Sequence, residues 1–324
     1  MAKAILMRET GGPEVLRLEE VEVPAPAAGE VQVRHAAIGL NFIDVYDRTG
    51  LYPVPLPAVP GREAAGVITA LGRRVKGFRV GERIAYALPG PGAYCELRNV
   101  AAARLVKLPK AVKDETAAAI MLKGLTAHYL LRRTYRVKKG DWVLVHAAAG
   151  GVGLLLTQWA RALGARVIGV VGSLEKAALA KQHGCHHTLI AGRDDIVAGA
   201  KSLTKGAGVH VVYDSVGKDT FFESLDSLRP LGMMVTYGNA SGPPPAISPL
   251  ELARRGSLFL TRPSLFAYVA EPADLAAAAR ELFAMVVKKK LRVRIGQRYA
   301  LADAAQAHRD LEARRTTGST VLVP

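Results

Sequence analysis

The segment Val143–Ser173 leaves little freedom in the fold that this chain can adopt. It contains an apolar strand, a glycine-rich turn, an apolar helix and a second apolar strand within about thirty residues, the pattern of a dinucleotide-binding βαβ unit. Further apolar strands alternate with helices beyond it, which predicts an α/β domain with a doubly wound parallel sheet and helices on both faces. The segments of this domain are strands Trp142–Ala147, Arg166–Val171, Val209–Tyr213 and Met233–Tyr237, and helices Gly153–Leu163, Glu175–His183 and Phe221–Leu228.

The glycine-rich turn, HAAAGGVG, matches two of the three glycines of the dinucleotide fingerprint G-x-G-x-x-G. Gly150 would let the backbone approach a pyrophosphate, Gly153 would let the helix pack on the strand, and Ala148 replaces the first glycine. The helix N-terminus would then offer free N–H groups and a partial positive charge to the phosphates. The alternative, a glycine-rich turn without a ligand, is disfavoured because the whole βαβ context is present.

The end of the second strand of this unit indicates which dinucleotide would bind. NAD binding expects a carboxylate about 20 residues beyond the glycines, where it holds the ribose hydroxyls. Here Ser173 and Lys176 stand instead, and both can bind a 2′-phosphate. Glu175 lies in the first helical turn, where acidic residues commonly complement the helix dipole. The sequence therefore favours NADPH, although Lys176 can also be read as an ordinary solvated lysine.

Residues 1–110 follow a different pattern, with short strands separated by Gly- and Pro-rich turns. Closely spaced strands without long helices between them predict an antiparallel, barrel-like domain. An Ala- and Leu-rich run that opens with acidic residues predicts one helix over Asp114–Leu131. The strands expected before it are Lys3–Met7, Glu30–Ile38, Ala64–Leu71 and Arg83–Tyr86, and the chain is expected to end with helix Ala273–Lys288 and strand Gly318–Pro324.

Charge and cysteine content limit the class of protein. The 324 residues include 44 Lys and Arg against 28 Asp and Glu, a net charge of +16, and only two cysteines. Two cysteines cannot form a disulfide scaffold and suit a reducing compartment. The N-terminus lacks the apolar core of a signal peptide, and no run of about 18 apolar residues could span a bilayer. We therefore expect a cytoplasmic protein that has no membrane partner.

Several further motifs follow one another along the chain besides the glycine loop. They are NFIDVY (Asn41–Tyr46), GLYP (Gly50–Pro53), GREAAG (Gly61–Gly66), KGLTAHYLL (Lys123–Leu131), YDSVG (Tyr213–Gly217), YGNASG (Tyr237–Gly242) and TRPSL (Thr261–Leu265). Together, and in order along essentially the whole chain, they resemble the NADPH:quinone oxidoreductases, the ζ-crystallin-like, zinc-free branch of the medium-chain dehydrogenase/reductases, and the bacterial enzymes above all. The resemblance implies a GroES-like β-barrel catalytic domain formed by residues 1–122 and 264–324, a Rossmann domain at 123–263, and a homodimer joined through the Rossmann sheets, with Gly256–Thr261 as a candidate edge strand.

The resemblance also implies roles for individual residues. Asn41, Tyr46 and Tyr52 would line the catalytic pocket by the nicotinamide, and Ser173, Lys176 and Arg314 would surround the 2′-phosphate. The remaining cofactor contacts would come from Asn41, Thr126, Gly150, Gly151, Val152, Gly153, Val216, Asn239, Pro263, Ser264 and Leu265.

The chain departs from the family at the adenosine end of the expected cofactor site. Bacterial relatives have Asn-Tyr-Arg after the strand that follows Gly184, and the tyrosine helps to hold the adenosine. This sequence has Ile190, Ala191 and Gly192 there, so that contact is missing. We hypothesise that Arg193, and Arg315 beside Arg314, compensate electrostatically. An Arg315→Ala variant with unchanged NADPH affinity would argue against this.

No metal is expected. In the zinc-dependent members of the superfamily, a cysteine and a histidine ligand occupy the places that Asn41 and Arg62 take here, and a four-cysteine loop binds a structural zinc. The cluster from His183 to His187 contains four potential ligands, but it falls on a helix end running into a strand, where neighbouring side chains diverge. Cys95 has no histidine near it in sequence and is interpreted as a small core residue rather than a nucleophile.

The sequence thus predicts a zinc-independent oxidoreductase that passes reducing equivalents from NADPH to quinones. Asn41 would hydrogen-bond the acceptor oxygen, and Tyr46 or Tyr52 would donate a proton or stack on the ring. One alternative is an enone or alkenal reductase on the same fold. Another is single-stranded nucleic-acid binding by the basic clusters at 132–139 and 288–294, which the low aromatic content of 6% disfavours. The physiological acceptor, and whether one or two electrons move per step, stay open.

Overall fold

The computed structural model describes residues 1–88 and 90–324 and separates into two compact units. The first unit contains Met1–Leu125, Tyr268–Val287 and Val293–Pro324. The second contains Thr126–Ala267 and the short segment Lys288–Arg292. The chain therefore begins and ends in the first unit.

The N-terminal part of the chain forms mainly antiparallel strands, as its turn-rich sequence predicts. The longest strand, at the centre of this part, pairs with strands on both of its edges. The elements in chain order are β1 (Ala2–Leu6), β2 (Arg17–Val21), β3 (Glu30–Leu40), α1 (Phe42–Thr49), β4 (Glu63–Leu71), β5 (Arg83–Ala87), β6 (Leu97–Ala101), β7 (Val106–Lys107), α2 (Asp114–Ala118) and α3 (Met121–Tyr129).

The second unit has the parallel sheet that the alternating pattern predicts. Its six strands lie in the order β10-β9-β8-β11-β12-β13, and every pairing is parallel. The central strand β8 is apolar because helices cover both faces, and Val143, Leu144 and Val145 are fully buried. The elements are β8 (Trp142–Val145), α4 (Gly151–Ala162), β9 (Arg166–Val171), α5 (Leu174–Gln182), β10 (His187–Ile190), α6 (Ile196–Leu203), β11 (Val209–Asp214), α7 (Phe221–Asp226), β12 (Leu228–Thr236), α8 (Leu250–Arg254), β13 (Phe259–Thr261) and α9 (Leu265–Tyr268).

The end of the chain completes the sheet of the first unit. It forms α10 (Pro272–Val287), β14 (Ile295–Ala300), α11 (Ala304–Glu312) and β15 (Ser319–Val323). β15 pairs antiparallel with the end of β3, so that the strand order becomes β14-β15-β3-β4-β5-β7, with β6 also on β3. β1 and β2 form a separate two-stranded sheet. The α/β fold class expected from the sequence is thereby confirmed.

The single helix expected over Asp114–Leu131 is wrong, because the structure divides it into α2 and α3. The N–H of Leu122, in the first turn of α3, donates to the Glu63 carboxylate at 2.6 Å. A side chain 59 residues away thus satisfies one of the N–H groups that a new helix start leaves open. Gly39 makes room for this contact, since a Cβ there would lie 2.3 Å from both Glu63 Oε1 and the Ala118 carbonyl oxygen.

None of the helices formed by the described residues combines the length and apolar character that crossing a membrane would require.

Candidate active site

The glycine loop joins β8 to α4 and leaves the start of that helix open. Gly150 is the N-cap residue and supplies no side-chain cap. A Cβ at Gly153 would lie 2.3 Å from the Ala147 carbonyl oxygen, so only glycine fits there. The uncapped N–H groups of the first turn, with the helix dipole, form a site suited to phosphate.

Ala148 occupies the place of the first fingerprint glycine without disturbing the loop. It is fully buried, and its N–H donates to the Val170 carbonyl at 3.1 Å. The neighbouring strand has a glycine, Gly169, where a Cβ would approach the Ala148 methyl to 2.8 Å. The methyl group of Ala148 therefore fills space that Gly169 leaves, and the missing fingerprint glycine has a structural compensation.

The carboxyl end of β9 carries Ser173 and Lys176, the two residues of the second unit expected at the 2′-phosphate. Ser173 is the N-cap of α5, and its Oγ accepts the N–H of Lys176 at 3.2 Å. A Cβ at the adjacent Gly172 would meet nothing within 4 Å, so this corner is open. Because the capping bond uses Ser173 Oγ as an acceptor, its proton is available to a phosphate oxygen.

Arg193 and Arg315, which we hypothesised to compensate at the adenosine end of the cofactor site, each form an ion pair with a carboxylate of the protein. Arg193 pairs with Asp194 at 3.0 Å, and Arg315 pairs with Asp310 at 3.2 Å. Arg314 belongs to the first unit, directly after α11, with a left-handed φ of 58°. The compensation proposed for Arg193 and Arg315 would have to compete with these ion pairs.

Two loops at the carboxyl ends of β11 and β12 contain Val216 and Asn239. They are bound to each other: Ser241 N–H donates to the Val216 carbonyl at 2.8 Å, and Ala240 N–H donates to the Ser215 carbonyl at 3.2 Å. A Cβ at Gly217 would come within 2.5 Å of the Gly242 carbonyl oxygen. The two loops therefore form one rigid surface within the second unit.

The other expected cofactor residues of the second unit lie on separate elements. Gly151 and Val152 begin α4. Thr126 is buried in α3, Pro263 and Ser264 follow β13, and Leu265 is buried at the start of α9.

Asn41 lies directly before α1 in the first unit, and its side-chain amide is already engaged. Its Nδ2 donates to Glu63 Oε1 at 2.8 Å and to the Gly39 carbonyl at 3.3 Å. Both partners accept only, which fixes the orientation of the amide. The role expected from the sequence, donation to an acceptor oxygen, would thus require breaking one of these bonds.

Glu63 accepts several of the hydrogen bonds that hold the residues around Asn41 in the first unit. Its fully buried carboxylate accepts from Asn41, from the Leu122 N–H, and from Lys123 Nζ at 2.7 Å. Lys123 is itself only 6% exposed. A buried ion pair is tolerated only when its charges are paired and hydrogen-bonded, and this one meets both conditions.

A second buried ion pair lies on α1. Arg62 donates to the Asp47 carboxylate through Nε at 2.9 Å and Nη2 at 2.7 Å, a bidentate arrangement. Burial raises the pKa of Asp47, while the hydrogen bonds and charge of Arg62 oppose that rise. Arg62, which stands where zinc-dependent members have a histidine ligand, thus serves to balance an acid of α1.

Asp44, one turn before Asp47, has no cation bonded to it. Its Oδ2 accepts the Asn41 N–H at 2.9 Å and the Tyr94 hydroxyl at 3.0 Å. Burial is the main cause that raises the pKa of Asp44 to about 7. His308 Nε2 lies 3.1 Å from the same tyrosine oxygen, and burial lowers the pKa of His308 to about 3, so this imidazole is neutral.

The expected catalytic tyrosines lie side by side next to Asn41. The ring centroids of Tyr46 and Tyr52 are 5.1 Å apart at an interplanar angle of 66°, and the Tyr52 N–H donates to the Tyr46 carbonyl at 3.1 Å. Phe42 extends this group at 5.7 Å from Tyr46. Asn41, Tyr46 and Tyr52 thus lie on one short segment, in which the buried Tyr46 ring packs against the half-buried Tyr52 ring.

Neither cysteine has the surroundings of a nucleophile. His35 Nδ1 lies 3.9 Å from Cys95 Sγ although it is sixty residues away in sequence, so the absence of a nearby histidine in the sequence was misleading. Burial nevertheless raises the pKa of Cys95 to about 11 and that of Cys185 to about 12, which keeps both as thiols.

The histidines from His183 to His187 face different partners. His186 Nδ1 accepts the Val167 N–H at 3.0 Å, while the His187 ring lies 5.9 Å from that of Trp142. Within 1–88 and 90–324, no three His, Cys, Asp or Glu side chains are grouped as metal ligands.

Sequence reasoning missed the roles of Asp44, Asp47, Glu63, Lys123 and Asp214. Each is buried in the structure. A signal was present: Lys123 stands alone in the apolar run from Ala117 to Leu125, and charged residues are almost never buried unless they are paired. The partner of Glu63 could not be read from the sequence because Lys123 comes from a distant element, whereas Asp214 is bonded to groups within ten residues of it.

Comparison with known proteins agrees with this geometry along the whole chain. The family model "Alcohol dehydrogenase GroES-like domain" matches residues 27–110, and "Zinc-binding dehydrogenase" matches residues 151–281. The Quinone oxidoreductase of Pseudomonas aeruginosa is 51% identical, with 100% of both chains covered. The 2-haloacrylate reductase of a Burkholderia species is 45% identical, over 100% of this chain and 99% of that protein. The crystal structure of Escherichia coli quinone oxidoreductase complexed with NADPH superimposes with a TM-score of 0.98 at 45% identity, over 100% of both chains.

Proposed function

Because the chain belongs to the quinone oxidoreductases of the medium-chain dehydrogenase/reductase superfamily, we propose that it reduces quinones with NADPH, independently of zinc. One observation carries the choice of acceptor. Each buried cation of the described first unit has a carboxylate partner: Arg62 with Asp47, Lys123 with Glu63, and Arg48 with Glu312. Surroundings in which the cations are neutralised suit an uncharged acceptor such as a quinone.

The second unit fits the dinucleotide. The open start of α4, where Gly150 adds no side chain, suits the pyrophosphate, and Ser173 with Lys176 suits the 2′-phosphate that distinguishes NADPH. Bound NADPH supplies the reducing equivalents. The protein contributes binding and orientation, to which we assign the loops with Val216 and Asn239 together with Thr126, Val152 and Pro263–Leu265.

We assign the acceptor pocket to Asn41, Tyr46 and Tyr52. Tyr52, which is half-buried and packs edge-on against the buried Tyr46, offers a ring on which a planar quinone can stack. Reduction of a quinone by hydride also consumes a proton, and we assign its donation to a tyrosine hydroxyl of this segment. Since Glu63 and Gly39 accept from the Asn41 amide N–H groups, donation from Asn41 to a quinone oxygen would require one of these two bonds to break.

An enone reductase is the second candidate, supported by the 45% identity to the 2-haloacrylate reductase. A haloacrylate carries a carboxylate, which needs a cation that is not already neutralised. The pairing of Arg62 and Lys123 with buried carboxylates disfavours such a substrate but leaves uncharged enones open.

The deciding experiment measures NADPH and NADH oxidation with a panel of 1,2- and 1,4-quinones, uncharged enones and 2-chloroacrylate. We expect quinone-dependent oxidation with NADPH preferred, weaker rates with enones, none with 2-chloroacrylate, and no loss of activity with a chelator. A faster reaction with 2-chloroacrylate than with any quinone would favour the second candidate. Loss of activity with a chelator would overturn the zinc-independent assignment.

We also propose a homodimer formed through β13 and a cytoplasmic location. β13 is the last strand of its sheet, so its outer edge has backbone groups open to pairing with a second copy, and its Phe259 is 56% exposed. The two free, buried cysteines suit a reducing compartment. Light scattering of the wild type and of Phe259→Lys tests the dimer, and the variant should shift the protein toward monomer.

A further inference from the structure

Asp214, the last residue of β11, has a carboxylate that is fully buried and fully hydrogen-bonded. Its Oδ1 accepts the backbone N–H groups of Val216 at 2.7 Å and Gly217 at 3.1 Å. Its Oδ2 accepts the hydroxyls of Thr220 at 2.7 Å and Ser224 at 2.8 Å. We propose that Asp214 is a positioning residue for the nicotinamide half of the cofactor site, an inference that rests on the proposed NADPH function.

The carboxylate determines the path of the chain where β11 ends. Two N–H bonds to Oδ1 hold residues 215–217 in a tight turn, with Gly217 at a left-handed φ of 94°. The loop after β12 is then built on this turn through the Ser215 and Val216 carbonyls. Removing the carboxylate would release the first loop and, with it, the second.

Asp214 is also connected to the glycine loop. His146, directly before that loop, lies with Nε2 3.0 Å from Ser224 Oγ. Because the single proton of Ser224 is donated to Asp214, His146 Nε2 must be the protonated nitrogen and donate to Ser224. Burial lowers the pKa of His146, which keeps the imidazole neutral and preserves this arrangement. A buried chain of hydrogen bonds thus joins the ends of β8 and β11.

The sheet order indicates which half of a dinucleotide these loops would meet. The connection direction reverses at β8, with β9 and β10 on one side and β11, β12 and β13 on the other. A dinucleotide lies across such a point, one nucleotide over each side. Ser173 and Lys176, which follow β9, are the residues that we assign to the adenosine 2′-phosphate, so the loops after β11 and β12 would meet the nicotinamide nucleotide.

The test compares whole NADPH with its adenosine fragment. The change in nicotinamide fluorescence measures NADPH binding, and calorimetry measures the binding of adenosine 2′,5′-bisphosphate. Both are measured for the wild type, Asp214→Ala, Asp214→Asn and Ser224→Ala. We expect Asp214→Ala to weaken NADPH binding about 10- to 100-fold, since bonds to a charged group are lost, and to leave the fragment within about twofold. Asp214→Asn should recover much of the affinity, because an amide oxygen can still accept both N–H groups. The NADPH affinity of Ser224→Ala should lie between those of Asp214→Asn and the wild type.

The control for the adenosine half of the site is Lys176→Ala, which should weaken the binding of NADPH and of the adenosine fragment alike. If Asp214→Ala and Asp214→Asn lose affinity for NADPH and for the adenosine fragment equally, the proposal is overturned in favour of a general structural role. An NADPH affinity of Asp214→Ala within twofold of that of the wild type would overturn it as well. If Asp214→Ala does not fold, Asp214→Asn and Ser224→Ala decide. A wild type that binds neither ligand would instead refute the proposed function. A wild type that binds NADPH but reduces no acceptor would refute only the quinone assignment.

Discussion

The two units form their candidate sites from different chemical groups. Around Asn41 the first unit uses buried charged side chains, in which acids from α1 and β4 meet cations from distant parts of the chain. Around the glycine loop and the end of β9, the second unit uses backbone N–H groups, glycines and the cap of a helix. A site made from side-chain charges is sensitive to the loss of one partner, whereas a backbone site is sensitive to the addition of a side chain.

The largest effect that tests this contrast is expected from Lys123→Met. The substitution leaves the Glu63 carboxylate buried without its cation, which costs about 3–5 kcal/mol of unfolding free energy. Urea unfolding of the wild type and the variant measures the loss. The double variant Glu63→Gln with Lys123→Met carries no buried charge and should recover much of the stability. If the single variant is as stable as the double, the ion pair does not organise the first unit.

In the second unit the corresponding change is Gly153→Val. Its Cβ would lie 2.3 Å from the Ala147 carbonyl oxygen, a backbone atom that cannot move aside, so we expect the glycine loop to be displaced and NADPH binding to be lost. Overpacking of this kind costs about 1–3 kcal/mol. The matched control is Gly150→Ala, where the same oxygen would be 3.1 Å away and a smaller loss of affinity is expected. Equal NADPH affinities for Gly153→Val and the wild type would contradict this assignment of the loop.

The same contrast explains what the sequence could predict. The parallel sheet and the glycine loop follow from local patterns: apolar strands, Gly150 and Gly153, and regular alternation with helices. The division of Asp114–Leu131 into α2 and α3 depends on Glu63, 59 residues before Leu122, and no local pattern contains it. Helix α1 was not expected either, because its buried acids Asp44 and Asp47 break the apolar periodicity that marks a helix.

The site residues divide in the same way. Asn41 and Ser173 could be named from the sequence by resemblance and position, whereas the partners that orient them come from the fold. The Asn41 amide is oriented by Glu63, and Asp214 holds the turn that contains Val216. Motifs indicate which residues can meet a ligand, but the structure is needed to see which near or distant side chains position them.

A third prediction concerns pH. Burial raises the pKa of Asp44 to about 7 from 3.8, so the folded protein holds a proton there that the unfolded chain releases. The contribution of this group to stability is therefore full below about pH 4 and is lost as the pH rises toward 7, by roughly 1.4 kcal/mol per pH unit at most. Asp44→Asn imitates the protonated acid and should remove this dependence. The difference in unfolding free energy between variant and wild type, measured from pH 4 to 8, should grow with pH, and a flat difference would contradict the raised pKa.

The smallest effect is expected from Ser173→Ala, which separates a helix cap from a phosphate contact. Loss of the bond between Ser173 Oγ and the Lys176 N–H should cost about 1 kcal/mol of stability. The matched control is Asp195→Ala, because Asp195 caps α6 in the same unit by accepting the Ala198 N–H at 2.9 Å. Both variants should lose similar stability in thermal unfolding, but only Ser173→Ala should lower the ratio of NADPH to NADH affinity. If both variants keep the wild-type ratio, Ser173 is only a helix cap, and discrimination of the 2′-phosphate falls to the charge of Lys176, an interaction that should then weaken with increasing salt.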